Sequence, residues 1–197
     1  MISGVSVGSI NAGIFSLFPK GSELAATQFM FDCWMELSNK NVWSYWSEFK
    51  IVDIFEAIYE YKSLMNYDPL EKYLQKIFDE KDNKIHRKVL MGATDLLTGS
   101  IVVTDYEQIQ KDEYVDAIIG SASVPVLFPA KEFRGQYLID GGVSWNLNMV
   151  SAFKKCMELV DHDPSRIILD VIVMFKNDIS ILPDKHYNSI HNFIRKK

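Results

Sequence analysis

Nothing constrains this chain more than its first eight residues. Gly4-Val5-Ser6-Val7-Gly8 reads G-x-S-x-G, with apolar residues before it and a helix-forming run after it that carries Ile10, Ile14, Phe15 and Phe18. That motif in that context predicts the last piece of a strand, a tight turn, and a helix stopped by Pro19 and Gly21. The turn would present the Ser6 hydroxyl at the sheet edge, with glycines at 4 and 8 omitting side chains that crowd so sharp a bend. The new helix would aim its free amides, Val7's first, and its positive end at the same spot, which favours an oxyanion.

The rest of the chain has to supply one core around that turn. At 197 residues it is cramped for two domains, so residues 1–197 are expected to form one. Its 48% apolar and 24% charged residues lie far from the composition of disorder. The formal charge is -5 and the longest basic run is the terminal Arg195-Lys196-Lys197; nucleic acid is not an expected partner, because phosphate binding needs a concentrated positive face. Cys33 and Cys156 fall in helical apolar stretches and read as buried thiols, not as a disulfide or metal ligands. The apolar run from Ile167 to Phe175, interrupted by Asp170, is far short of the roughly 20 residues of a spanning helix. With Met1 taken as the start, a cytoplasmic or peripheral-membrane location is expected.

Helix signals dominate the first half. Ser22 with Glu23 can cap a helix whose apolar positions Leu24, Phe29, Phe31, Cys33, Trp34 and Leu37 cover much of its circumference, which predicts an internal helix. Trp43 to Tyr61 also fits helix. Asp68-Pro69-Leu70-Glu71 predicts a capping box, with Leu70, Tyr73, Leu74, Ile77 and Phe78 on one face of the helix behind it. Strand-like segments then follow at 89–93, 101–104, 137–139 and 167–175, with a Thr98-Gly99 turn between the first two and helices near 112–119 and 148–159. Strands alternating with helices predict an α/β layered fold.

A serine nucleophile needs a base. His86 and His162 sit in charged turns, and His186 and His191 in a polar tail, so none has a distinctive setting. Asp140 ends the apolar strand QYLID and runs straight into Gly141-Gly142, where a strand's carboxyl end opens into a loop and α/β proteins build sites. A carboxylate sheltered beside Ser6 could take the hydroxyl proton directly; the plain alternative is an Asp-Gly turn with no chemistry.

Four blocks in order, GVSVGSINAG, ATDLLTGS, SASVPVLFPA and LIDGGVSWNLN, span residues 4 to 148 and resemble the patatin-like phospholipases. The resemblance implies an α/β/α three-layer sandwich and a Ser-Asp dyad with Ser6 as nucleophile and Asp140 as proton acceptor. It also implies calcium-independent hydrolysis of lipid or phospholipid esters, with no cofactor, metal or catalytic histidine. The G-x-S-x-G residues Gly4 to Gly8 and the D-G-G residues Asp140, Gly141 and Gly142 carry it. Two departures stand out. Asn148 occupies a place where the family often has proline, which should affect the turn more than the chemistry. The family's glycine-rich D-G-G-G-x-R-G loop and the strand before it are not found in residues 1–3, so an N-terminally truncated domain with only the Val7 amide left from the oxyanion hole is expected.

Two other readings stay open. One is an α/β-hydrolase esterase with a Ser-Asp-His triad using His162 or His186; the other is a catalytically inactive domain that binds lipid or a protein partner. The aromatic stretch from Phe29 to Tyr61, with Trp34, Trp43, Tyr45, Trp46, Phe49 and Phe55, is expected to pack mainly in the core, a few of its residues lining an acyl pocket.

Overall fold

The apolar start of the chain becomes a strand because a partner strand lies beside it. In a computed structural model that describes residues 1–45 and 63–173, Ile2–Val5 (β1) runs parallel to Val89–Asp95 (β2), from the pair Ile2 and Val89 to the pair Val5 and Gly92. Helix Val7–Ser16 (α1) then turns back along the sheet, followed by Glu23–Glu36 (α2), Asn39–Val42 (α3) and Asp68–Asp79 (α4). Beyond β2 come Ile101–Asp105 (β3), Tyr114–Ala122 (α5), Lys131–Phe133 (β4), Gln136–Asp140 (β5) and Met149–Leu159 (α6). Residues Met1–Ile167 form one compact unit and Ile168–Lys197 another, of which 168–173 carry neither helix nor strand.

β2 is the hub of a mixed sheet. β3 lies antiparallel along residues 90–94 of β2, the two joined through the Thr98-Gly99 turn, while β1 takes residues 89–92 and β5 takes Ala93 to Asp95 in antiparallel register. Because β3 overlaps both, β1 and β5 must share the opposite edge of β2, one ending where the other ends. β4 adds a short hairpin to β5. Residue Gly4 of β1 faces α1 and Val5 faces the other way, toward Trp145 and Asn148 at the start of α6; helices therefore cover both faces, as the layered α/β expectation requires. The core between the sheet and α1, α4 and α5 holds Ile14, Leu74, Phe78, Met91, Ile118 and Leu138, each shut off from water.

Several expectations need correction. Helix α2 is not internal: only Ala26 and Cys33 are fully buried, while Leu24 is 85% and Met35 70% exposed. It meets its neighbours along one stripe, through Phe18 against Phe29 and the Tyr73 hydroxyl donating to the Cys33 carbonyl, so an all-round apolar composition did not mean all-round burial. The capping box at Asp68 does not form. Asn66 Oδ1 accepts from the Asp68 amide instead, and Glu71 turns away to bind Lys131 Nζ at 2.8 Å. Cys156 is half-buried, and both cysteines are free thiols. No strand occurs over residues 167–173, where Ile168 and Ile172 are exposed and no ladder of hydrogen bonds forms; Met174 and Phe175 lie outside the described residues. So does most of the expected helix from Trp43 to Tyr61, with Trp46, Phe49 and Phe55. No helix among the described residues is long and apolar enough to cross a membrane.

Candidate active site

Two strands that end nose to nose create the site. β1 runs up β2 as far as Gly92 and β5 runs down it as far as Ala93, so the residue after β1, Ser6, meets the last residue of β5, Asp140. The Ser6 hydroxyl donates directly to Asp140 Oδ2. The expectation that Asp140 sits at a strand's carboxyl end holds, but β5 runs antiparallel, and it is this reversal that brings its end to Ser6.

Both partners are held rigidly. Asp140 is 3% exposed; its other oxygen, Oδ1, accepts from the Gly142 amide at 2.7 Å, and its own amide donates to the Ser123 carbonyl at 2.8 Å. With one oxygen committed to a backbone amide, the second is free to serve Ser6. Ser6 has φ 57° and ψ -131°, a conformation that L-residues rarely adopt and that persists only where the surroundings enforce it. They do: its amide donates to Ser121 Oγ at 3.0 Å, and its carbonyl accepts from Ser9 Oγ at 2.5 Å and the Ser9 amide at 2.9 Å.

Glycine is required at some of the motif positions and not at others. A Cβ on Gly4 would fall on the Gly8 carbonyl, and one on Gly141 on the Gly92 carbonyl. At Gly8 the space is open, with no atom within 4 Å, so crowding does not explain that glycine as the bend argument expected. Helix α1 begins at Val7, directly after Ser6, and points its positive end there, with the Ser9 amide of its first turn already taken by the Ser6 carbonyl.

Ser121 is the contributor that residue reasoning missed. Its Oγ accepts from Ser6 N and donates to the Gly92 carbonyl at 2.5 Å, so one buried hydroxyl ties the Ser6 backbone to β2. It sits inside SASVPVLFPA, one of the four blocks that carry the resemblance; nothing in the spacing singled out that serine. Nearby, the Thr98 hydroxyl donates to Asp95 Oδ2 at 2.6 Å and holds that carboxyl below the ordinary carboxylate range. Asn148 is buried at the head of α6 with neither end of its amide hydrogen-bonded.

The two described histidines stand apart from Ser6 and Asp140. His86 precedes β2, at the opposite end of the sheet, where its amide donates to the Ser16 carbonyl. His162 follows the far end of α6, and His186 and His191 lie outside the described residues. Among the described residues no group of His, Cys, Asp and Glu is placed to hold a metal ion. No relative among curated proteins matches the chain. A family model, patatin-like phospholipase, matches residues 1–153, which take in the elbow, the five strands among the described residues and the D-G-G turn. The chain belongs to the patatin-like phospholipase family.

Proposed function

We propose that the chain hydrolyses lipid carboxylic esters through an acyl-serine intermediate, with Ser6 as nucleophile and Asp140 as its base. The family is one of lipid hydrolases, which makes a lipid the substrate class. The observation that carries the finer reading is the direct hydrogen bond from the Ser6 hydroxyl to Asp140 Oδ2. A base must lie within hydrogen-bond reach of the proton it removes, and here it does without an intervening imidazole.

In this mechanism the Ser6 proton passes to Asp140 as Oγ attacks the ester carbonyl. The oxyanion forms at the head of α1 against the Val7 amide, and its collapse expels the alcohol, which takes the proton back from Asp140. Water then cleaves the acyl-serine with Asp140 again as base, needing no metal or cofactor. One oxyanion donor more or less is worth about 100- to 1,000-fold in rate. The Val7 amide and the positive end of α1 are expected to contribute on that scale.

Covalent labelling by a fluorophosphonate ester tests this on the first chemical step. The parent chain is expected to label at Ser6; Ser6→Ala abolishes labelling, and Asp140→Asn slows it by about 1,000-fold or more. No labelling of the parent would leave a binding domain without catalysis. Loss of labelling on replacing His162 or His186 by alanine would replace the dyad with a triad.

A further inference from the structure

The rim of the dyad, unlike its floor, is apolar and turned outward. Leu97 is 72%, Val143 57% and Val126 55% exposed, and Val7, Leu96 and Leu127 are exposed beside them. Hydrogen bonds tie these loops to one another and to the site. Ser144 Oγ binds the Gly99 carbonyl, joining the turn after Asp140 to the β2–β3 turn; the Leu96 amide binds the Tyr137 carbonyl; and Ser123, at the start of the Val126 loop, accepts from Asp140.

Apart from the buried Asp95 and Asp140 carboxylates, held by Thr98 and by Ser6 and Gly142, these loops are also without charge. In a chain with 24% charged residues, the stretches 7–19, 96–104, 117–130 and 141–153 contain no Asp, Glu, Lys, Arg or His. Val126 adds a further sign. It follows Pro125 with φ 73°, where a turn of this kind favours glycine, so a β-branched residue is kept there against backbone strain. Strained residues concentrate at working sites.

We infer that this rim docks the chain onto an electrically neutral lipid surface, with Leu96, Leu97, Val126, Leu127, Val143 and Val7 entering the headgroup boundary around the dyad. The inference rests on the lipid-hydrolase reading for its occupant. Continuity with the dyad picks out the lipid, since Val7 directly follows Ser6 and Val143 directly follows the Asp140-Gly141-Gly142 turn. The absence of charge picks out the neutral surface. Attraction to anionic lipid comes from Lys and Arg near the surface, and among the described residues these rim stretches have none, while the whole chain carries -5. Apolar insertion scales instead with buried apolar area and is insensitive to salt.

Vesicle flotation tests the idea. The 197-residue chain carrying Ser6→Ala is floated with pure phosphatidylcholine vesicles and with vesicles holding phosphatidylserine. Because this variant cannot acylate, its docking is scored separately from the hydrolase reading. Binding to phosphatidylcholine is expected, changing by less than about two-fold between low and high salt. Adding Leu97→Asp or Val143→Asp should lower it by about ten-fold or more with the melting temperature unchanged, since Asp is costly in apolar surroundings. Leu24→Asp, equally exposed but at the opposite end of the sheet, should float as the parent does. Binding that needs phosphatidylserine and vanishes in high salt would overturn the proposal, as would loss of flotation in Leu24→Asp alone. So would a dimer abolished by Leu97→Asp in a chain that does not float, which would give the rim to a second copy.

Discussion

The floor beneath Ser6 and the rim around it come from the same chain segments, yet they meet opposite demands. On the floor, Gly4 and Gly141 leave no room for an added atom, and the buried Ser121 and Asp140 have their polar groups paired. On the rim, a few residues away, Leu97, Val126 and Val143 face outward and pack little. A reacting pair must be fixed to within a fraction of an ångström, whereas a surface that meets a fluid layer needs only composition and exposure. Substitutions should therefore be costly in stability on the floor and nearly free on the rim.

The sharpest way to break the comparison lies within one motif. Gly4→Ala and Gly141→Ala each place a methyl group on a backbone carbonyl, which cannot move without shifting α1 or β2. Each is expected to cost about 3 kcal/mol or more, at the upper end of overpacking, or to prevent folding. Gly8→Ala meets open space inside α1, and alanine is the better helix former, so it should be neutral or stabilising by up to about 1 kcal/mol. Urea melts of the three variants check this. Equal losses at Gly4 and Gly8 would mean that the floor does not end where the contacts say it does.

A smaller effect is expected at Ser121. Ser121→Ala removes the acceptor of the Ser6 amide and the donor to the Gly92 carbonyl, leaving two buried backbone groups unpaired. The cost should be about 1–3 kcal/mol in stability. Because Ser121 acts through Ser6's backbone, fluorophosphonate labelling should slow as well, while the parent and variant keep the same pH profile. A variant that labels at the parent's rate would make Ser121 a packing residue only.

What was legible beforehand follows the same division. The elbow could be read from Gly4 to Gly8 because a strand, a strained serine and a helix each leave a local signature, and Asp140 because its strand ends in Gly-Gly. Ser121 could not, since its role depends on a contact across more than a hundred residues that no periodicity encodes. The antiparallel run of β5 and the hairpin strand β4 were invisible for a similar reason: strand direction is set by the connections and by the shared edge of β2, not by the residues of QYLID. Helix α2 misled because apolar composition reports what a residue could bury, and only Ala26 and Cys33 found partners that close. The capping box at Asp68 failed through competition, Lys131 claiming the Glu71 carboxylate.

The finest test is at Val126, where floor and rim touch. Its backbone is part of the ordered loop: the Val126 carbonyl accepts from the Leu64 amide at 2.9 Å, and its φ of 73° is strained for a β-branched residue. Its side chain belongs to the exposed rim. Val126→Gly relieves a strain of about 1–3 kcal/mol, but it also frees the unfolded chain at a cost of about 0.4–1 kcal/mol. The two offset only at the low end of that strain and otherwise the relief wins, so the expected result is a melting temperature unchanged or raised, together with about two- to three-fold weaker flotation with phosphatidylcholine vesicles from the lost apolar side chain. A clear drop in stability would show that Val126 packs as part of the floor, and the boundary between the two regions would have to move outward to Leu127.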